Sequence, residues 1–378
     1  MTEPADLGTS SSDESIWIRV EEPSTCAAVR RRAADLARQV GLADEQIEEV
    51  AVAASELASN LVKHAREGSV LLRLLRRDGS AGVGVLTVDK GPGTRDITAL
   101  SVDGMTTTGT LGIGLGAVRR FADRLDLHSV PGVGTIVSAE FWLRSAQEGS
   151  GPSSTGDVFG GLTRPLQGET VCGDAYAQRA LPGGRTVMVA DGLGHGPMAA
   201  RASAAAVRAF RASRATTPRF LLEDLHRALR DTRGAAVAVA HVDHASRTLT
   251  YGGIGNIAGR VLDATGSSQL ASQPGIVGHN APTVRELTMP LERGQWLVMH
   301  SDGLTDRWKL DDLPGILGTS PVVLCAALVR AAGERRDDAG VIALRTDGPD
   351  GPDDPDDPDG PDDTAEAGND TTTRGGTA

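Results

Sequence analysis

The stretch VMVADGLGHG, residues 187–196, constrains the fold of this chain most strongly. Its apolar positions predict a buried strand that ends at Asp191, after which the glycines predict a loop. The segment PMAARASAAAVRAF then predicts a helix, with Pro197 in its first turn. A carboxylate at the end of a buried strand, next to glycines that let the backbone approach closely, suits a hard divalent cation.

Three other aspartate sites repeat this pattern. Asp174 lies in VCGDAY, Asp302 follows the apolar run WLVMH, and Asp337 and Asp338 precede the predicted strand AGVIALR. Carboxylate and carbonyl ligands favour magnesium or manganese over zinc. The aspartate sites therefore predict one acidic metal centre that is assembled from the ends of strands.

The ordered motifs GD, ADGLGHG, SDGLTD and DDAGV resemble the SpoIIE-like branch of the metal-dependent, PPM-type serine/threonine protein phosphatases. The resemblance covers residues 157–346 and implies an αββα sandwich that binds two Mn²⁺ or Mg²⁺ ions. It gives Asp191 the catalytic role of bridging the two ions. The other implied ligands are the carbonyl of Gly192 and the carboxylates of Asp174, Asp302 and Asp337, with Asp338 as the alternative to Asp337.

A polar edge marks the helix predicted for residues 44–65. Apolar residues recur there at three- and four-residue spacing, which is typical of a helix with one buried face. Glu56 and Asn60 are four residues apart and share one edge, and Lys63 lies three residues further on. Such an acid, amide and cation suit a general base, a magnesium ligand and a phosphate contact. Taken alone, they fit a solvated polar face equally well.

The series ELASN, DKGPG, LGIGLG and GVGT, within residues 14–143, resembles the GHKL ATP-binding fold. The resemblance is greatest to bacterial anti-sigma-factor and switch-protein serine kinases, and it implies an α/β sandwich that binds ATP and Mg²⁺. It implies that Glu56 orients or deprotonates the attacking hydroxyl, that Asn60 binds Mg²⁺ and that Asp89 accepts a hydrogen bond from the adenine amino group. The other implied nucleotide contacts are Lys63, Gly91, Gly93, Gly112, Gly114, Gly116 and Thr135.

Charge is concentrated at the carboxyl end of the chain. The net charge is −12, and residues 347–378 carry ten Asp, one Glu and one Arg without a hydrophobic segment. This composition predicts a disordered acidic tail. Residues 1–14 are predicted to be a disordered lead, and residues 145–156, SAQEGSGPSSTG, a flexible linker. The domains expected are therefore a GHKL-like unit at 15–144 and a phosphatase unit at 157–346, which we expect to fold independently.

The rest of the composition indicates the cellular compartment and the kinds of partner to expect. The chain has no run of eighteen apolar residues, no signal-peptide pattern and no basic stripe, so we expect neither a membrane span nor nucleic-acid binding. Its three scattered cysteines form no disulfide framework, which indicates the reducing cytoplasm.

The sequence thus predicts an α+β protein of two domains that acts as a bifunctional regulator. A serine/threonine kinase-like domain precedes a phosphatase for phosphoserine and phosphothreonine. The resemblance implies as partner a small STAS-type anti-sigma antagonist phosphoprotein or a sigma factor, and leaves a homodimer open. The alternative is that the first domain binds nucleotide and sequesters a partner without phosphorylating it.

Overall fold

The computed structural model describes residues 15–77, 80–95, 114–144, 158–181, 183–334 and 336–346. The predicted lead at 1–14, linker at 145–156 and tail at 347–378 lie outside these ranges, as does Gly112.

The amino-terminal part is an antiparallel five-stranded sheet in the order β1-β2-β3-β5-β4, with helices on one face. The strands are β1 Ser15–Arg19, β2 Ser69–Arg77, β3 Ser80–Val88, β4 Arg124–Val130 and β5 Gly134–Trp142. The helices are α1 Pro23–Gln39, α2 Asp44–His64 and α3 Gly114–Phe121.

Helix α2 buries the apolar face that its spacing predicts, including Val50, Leu57 and Leu61, against α1 and the sheet. The GHKL resemblance implies a helix over residues 117–123 that follows the LGIGLG glycines, and helix α3 differs from that expectation. It begins at Gly114, so Gly114 and Gly116 lie within the helix and not in a preceding loop. Glycine costs about 1 kcal/mol in a helix interior. The buried residues of α3 pack well enough to override that preference.

The carboxy-terminal part contains two more antiparallel sheets of five strands each. The first, in the order β13-β10-β9-β8-β7, is built from β7 Asp174–Leu181, β8 Gly184–Gly192, β9 Ala235–Asp243, β10 Thr248–Ile254 and β13 Leu287–Pro290. The second, in the order β12-β11-β14-β15-β6, is built from β6 Phe159–Arg164, β11 Ala258–Asp263, β12 Gly266–Leu270, β14 Trp296–His300 and β15 Ala339–Arg345.

These two sheets face each other through a core that includes Val189, Leu297 and Ile342. Helices α4 Pro197–Ala212 and α5 Pro218–Ala228 cover the outer face of the first sheet. Helix α6 Pro321–Ala332 covers the outer face of the second. Helix, sheet, sheet and helix thus form the αββα sandwich that the sequence resemblance implies.

Helix α6 also contacts the amino-terminal sheet. All its residues except Ala331 are buried, because β6 and β15 pack on one side and β3, β4 and β5 on the other. One apolar core therefore joins Leu86 and Ile136 of the amino-terminal sheet to α6 and the second carboxy-terminal sheet. A helix that is apolar all round requires such cover on both sides.

Hydrogen bonds also cross between the two parts. The Trp17 indole Nε1 donates to the Thr163 carbonyl at 2.7 Å, and His128 Nε2 donates to the Pro314 carbonyl at 3.0 Å. The Ser320 amide donates to the Asp126 carboxylate at 2.6 Å. The two halves thus share a packed and hydrogen-bonded interface, which the linker composition does not predict.

Among the described residues, none of the helices has both the length and the apolar character needed to cross a bilayer.

Because the halves share a core, we expect Ile136→Ala, in the amino-terminal sheet, to lower the stability of the whole chain by about 2–5 kcal/mol through the cavity that it leaves. Denaturant unfolding followed by both circular dichroism and tryptophan fluorescence should show one common transition at a lower midpoint. Ala331→Ser, at the exposed position of α6, is the matched control with an unchanged midpoint. Two separate transitions, of which Ile136→Ala moves only one, would contradict the shared core.

Candidate functional site

Two acidic strand ends meet at the centre of the carboxy-terminal half. Asp174 at the start of β7 pairs directly with Asp191 in β8, so antiparallel register places both carboxyls at one edge. Asp174 is buried at 1 % exposure. The Ser301 hydroxyl donates to its carboxylate, and the Asp191 carboxyl is hydrogen-bonded to those of both Asp174 and Asp302.

Crowded negative charge perturbs these carboxyls. Burial raises the pKa of Asp191 to about 7, and the charge of Asp302 adds to the effect. Burial raises the pKa of Asp302, with Asp337 as the next cause. The pKa of Asp174 is raised by burial first and by Asp191 second. Burial and neighbouring negative charge therefore oppose the ionisation of Asp174, Asp191 and Asp302, in a corner whose charge a divalent cation would neutralise.

The two aspartates before β15 have different surroundings. Asp338 is buried, and its two carboxylate oxygens accept backbone amide bonds from Leu166 at 2.7 Å and Gly173 at 2.9 Å. Asp338 thereby fixes the backbone just before Asp174. Asp337 is half-buried and acts electrostatically on Asp191 and Asp302. This arrangement favours Asp337 over Asp338 as the ligand, while Asp338 supports the corner.

Gly192 is required by close packing. A Cβ added there would lie 2.2 Å from the Ala199 carbonyl oxygen, so only glycine lets the loop fold back onto the start of α4. The Gly192 amide also donates to the Gly173 carbonyl at 3.1 Å, which ties the loop to the strand that carries Asp174.

The residues of this corner fit a hard divalent cation, since they offer carboxylates at strand ends beside glycine backbone. In the described part of the chain, no three acidic, His or Cys side chains form a closed ligand set. Without a cation, crowded carboxylates either share protons or move apart. Sites for hard divalent cations also use backbone carbonyls and water as ligands, so side chains alone need not form the whole ligand set.

Four residues on the rim of this corner are not in the predicted ligand set, although His195 lies in the ADGLGHG motif, which predicts either a contact with substrate phosphate or packing of the loop. Asn256 donates to Asp302, and Glu169 lies 3.3 Å from the exposed His195 ring nitrogen. Exposed Arg233 lies next to the loop that follows β8, since its Nη1 would lie 3.2 Å from a Cβ added to Gly194. No local motif marks Asn256, Glu169 or Arg233, because these three residues come from loops that are distant in the sequence.

A second corner lies in the amino-terminal half at the end of β3. One carboxylate oxygen of Asp89 accepts the backbone amides of Gly91 at 2.6 Å and Thr135 at 3.2 Å. A Cβ at Gly91 would lie 2.8 Å from that oxygen, and Gly93 has φ +61°. The turn thus brings three of the sequence-predicted contacts, Asp89, Gly91 and Thr135, together and leaves the second Asp89 oxygen free of described hydrogen-bond partners.

The end of α2, the helix that carries the predicted polar edge, packs against the Asp89 turn. Glu56 and Asn60 are half-buried and one helical turn apart, whereas Lys63 is exposed and its charge acts on Cys26 of α1. The His64 carbonyl at the end of α2 packs on Gly91, so α2 and the Asp89 turn are joined. The first-turn amides of α3, at Gly114 and Gly116, can meet an anion as helix N-termini do.

Comparison with protein families gives two matches on the chain. Residues 20–141 match the histidine kinase-like ATPase domain, and residues 182–347 match Stage II sporulation protein E (SpoIIE).

Two curated relatives come from Bacillus subtilis (strain 168). The serine/threonine-protein kinase RsbT is 33 % identical over 127 residues, which cover 34 % of this chain and 96 % of RsbT. The phosphoserine phosphatase RsbX is 26 % identical over 140 residues, which cover 36 % of this chain and 70 % of RsbX. A crystal structure of RsbX in complex with magnesium matches with 23 % identity and a TM-score of 0.43, covering 50 % of this chain and 94 % of that one.

Asp191→Asn tests the carboxylate corner. We expect the variant to unfold at a higher temperature than the wild type in chelator, because one crowded charge is gone. Mn²⁺ at a hundred times its dissociation constant should stabilise the wild type by about 2.7 kcal/mol and the variant far less. Thermal melts with and without Mn²⁺ measure both effects, with exposed Asp311→Asn as the unchanged control. Equal Mn²⁺ stabilisation of Asp191→Asn would remove Asp191 from the ligand set.

Proposed function

The chain belongs to the family of histidine kinase-like ATPase domains through residues 20–141 and to the SpoIIE family through residues 182–347, and from this premise we propose that it is a bifunctional partner-switching regulator. One half transfers phosphate from ATP to serine or threonine, and the other half hydrolyses phosphoserine or phosphothreonine. The observation that carries the proposal is that one chain contains both an Asp89 turn facing α2 and a corner of four strand-end carboxyls. We place the working units at residues 15–144 and 157–346.

The proposed kinase reaction uses the chain's own groups in separate roles. The free oxygen of Asp89 accepts a hydrogen bond from the adenine amino group. The amides at the start of α3 meet the phosphates, and Asn60 holds the Mg²⁺ that accompanies ATP. Glu56, one turn earlier on α2, orients the attacking hydroxyl or accepts its proton. The two polar residues of α2 thus act at the phosphate end, while Asp89 acts at the base.

The proposed phosphatase reaction takes place at the carboxylate corner. Divalent ions bound there, two Mn²⁺ or Mg²⁺ by the family resemblance, supply charge neutralisation of the phosphoryl group and a more acidic water. Asp191 interacts with both Asp174 and Asp302, so these carboxylates would hold the ions together, with Asp191 in the central role. Ser301 orients the Asp174 carboxylate, and Arg233 at the rim offers a cation to the phosphate of an incoming protein.

The partner proposed for both halves is a small STAS-type anti-sigma antagonist, phosphorylated on serine or threonine, with a sigma factor as the second candidate. The three cysteines are free and two of them are buried, which supports a place in the reducing cytoplasm. The alternative for the amino-terminal half, sequestration without phosphorylation, uses the same nucleotide corner and differs in whether Glu56 is needed.

Glu56→Gln separates kinase from sequestering chemistry. We expect the variant to keep ATP affinity within about two-fold and to lose roughly 10²–10⁴-fold in phosphoryl transfer, because the lost group acts on the hydroxyl and not on adenine. Incubation with Mg-ATP and candidate antagonist proteins, resolved on phosphate-affinity gels, measures the transfer. Exposed Glu48→Gln on the same helix is the control.

If Glu56→Gln transfers phosphate at the wild-type rate, Glu56 has no part in the chemistry. If the wild type binds its partner and never phosphorylates it, the amino-terminal half is a sequestering module.

Arg233→Ala tests the phosphate rim. We expect KM for a phosphoprotein substrate to rise roughly ten-fold or more, since a charge-assisted hydrogen bond contributes about 1.5–3 kcal/mol, while Mn²⁺ affinity stays constant. Asp302→Ala should instead lose Mn²⁺-dependent activity altogether. Steady-state hydrolysis at saturating Mn²⁺ measures both, with exposed Arg227→Ala as the control. An unchanged KM in Arg233→Ala would place the phosphate elsewhere on the rim.

A further inference from the structure

Arg330 is a buried cation without hydrogen-bonding partners. It lies near the end of α6 at 8 % exposure, and none of its three guanidinium nitrogens has a hydrogen-bond partner among the described residues. Burying a charge in this state is unfavourable by several times the thermal energy. An unsatisfied buried group therefore indicates a role that packing alone does not explain.

The other deeply buried arginines of the described chain are bonded. Arg179 donates to the carbonyls of Ser213 and Ala215, and Arg260 pairs with the Asp306 carboxylate. Arg330 thus differs from these arginines in lacking hydrogen-bond partners among the described residues, and not in its burial.

The charge of Arg330 acts on Asp89, at the proposed nucleotide site of the amino-terminal half. Helix α6 packs on β3, β4 and β5, and Asp89 follows the last residue of β3. Among the described residues, Asp89 is the one charged group that stabilises the Arg330 cation. The same cation disfavours protonation of His128 on β4. The carboxy-terminal half therefore places a positive charge beside the adenine end of the other half's site.

A nearby positive charge favours the ionised form of Asp89. Its burial raises its pKa, whereas the amides of Gly91 and Thr135 and the charge of Arg330 act in the opposite direction. A carboxyl accepts a hydrogen bond from a ligand N–H most strongly when it is ionised, because protonation turns one of its two oxygens into a donor.

We propose that Arg330 is a positioning residue of the nucleotide site, which holds Asp89 as an ionised acceptor for the amino group of adenine. The inference rests on the proposed nucleotide binding of the amino-terminal half. It adds that the adenine end of the site is completed by the carboxy-terminal half through α6. It also adds a base preference, because an ionised acceptor repels the carbonyl oxygen that guanine presents at the same position.

The pH dependence has a definite sign. Removing the Arg330 charge raises the pKa of Asp89 further, so ATP binding is lost at a higher pH as the pH falls. The other described titratable or charged groups around this corner are His128 and Asp126 on β4, and His64, Arg66, Glu67 and Lys90 near the end of α2 and the turn. The Arg330 variant must therefore be compared with the wild type over the whole pH range.

The test uses the full chain and the variants Arg330→Met, Arg330→Lys and Arg73→Met. Arg73 is the matched control, since it lies near Cys325 of the same helix but is paired with Glu140 at 3.4 Å. Calorimetric titration with ATP and with GTP between about pH 5.5 and 8 gives affinities, and thermal melts without nucleotide give stability.

We expect Arg330→Met to bind ATP roughly ten-fold more weakly, with the loss growing as the pH falls, and to discriminate less against GTP. Its nucleotide-free melting temperature should rise, because an unpaired buried charge is gone. Arg330→Lys should retain most of the affinity, and Arg73→Met should melt earlier and bind ATP normally.

A folded Arg330→Met variant with wild-type ATP affinity and pH profile overturns the inference and leaves the proposed function intact. A wild-type chain that binds no ATP at any pH overturns the proposed function, and this inference with it.

Discussion

The architecture depends on helix α6, whose residues are all apolar except the buried Arg330. Every residue of α6 but Ala331 is buried, so the helix must be covered by one sheet of the phosphatase-like half and by the sheet of the kinase-like half. Leaving either face open would expose a large apolar surface to water. The linker composition suggests freedom between the halves, but the packing of α6 requires them to dock. The polar contacts from Trp17, His128 and Asp126 then fix how they dock.

Helix α6 is connected to both candidate sites. The carboxyl end of the helix leads directly into Asp337 and Asp338, and backbone hydrogen bonds tie it to the loop of Asp302. The same helix packs on the amino-terminal sheet, and the charge of its Arg330 acts on Asp89. Both sites place carboxyls at strand ends, where burial penalises their charge. The carboxylate corner gathers like charges that an external cation would neutralise, whereas the charge of Arg330, from within the chain, acts on the Asp89 corner.

The predictability of the structure from sequence differs between elements for physical reasons. Local patterns in the sequence predict the aspartates of the carboxylate corner, because each lies beside the start or the end of an apolar strand, and antiparallel pairing of β7 with β8 does bring Asp174 to Asp191. Ser301 and Asn256 carry no such local signal, since their importance arises only when distant loops meet at Asp174 and Asp302. The choice between Asp337 and Asp338 likewise depends on which one the Leu166 and Gly173 amides engage. No helix is predicted at the position of α6, and its apolar run does not reveal which sheets cover it.

The placement of α6 also has a thermodynamic consequence for the two activities. Any ligand that binds one half and alters the position of α6 must change the affinity of the other half for its own ligand by the same factor. The helix can transmit such an effect only if it has two arrangements that the ligands distinguish, and contact alone does not provide them. A shared core of this kind opposes gradual deformation, because close-packed interiors resist small displacements. Coupling between nucleotide and metal would therefore require α6 to move as a unit relative to one sheet. In the docked arrangement, Arg330 is sensitive to such a movement, since among the described residues the one charged group that stabilises its cation, Asp89, belongs to the opposite half.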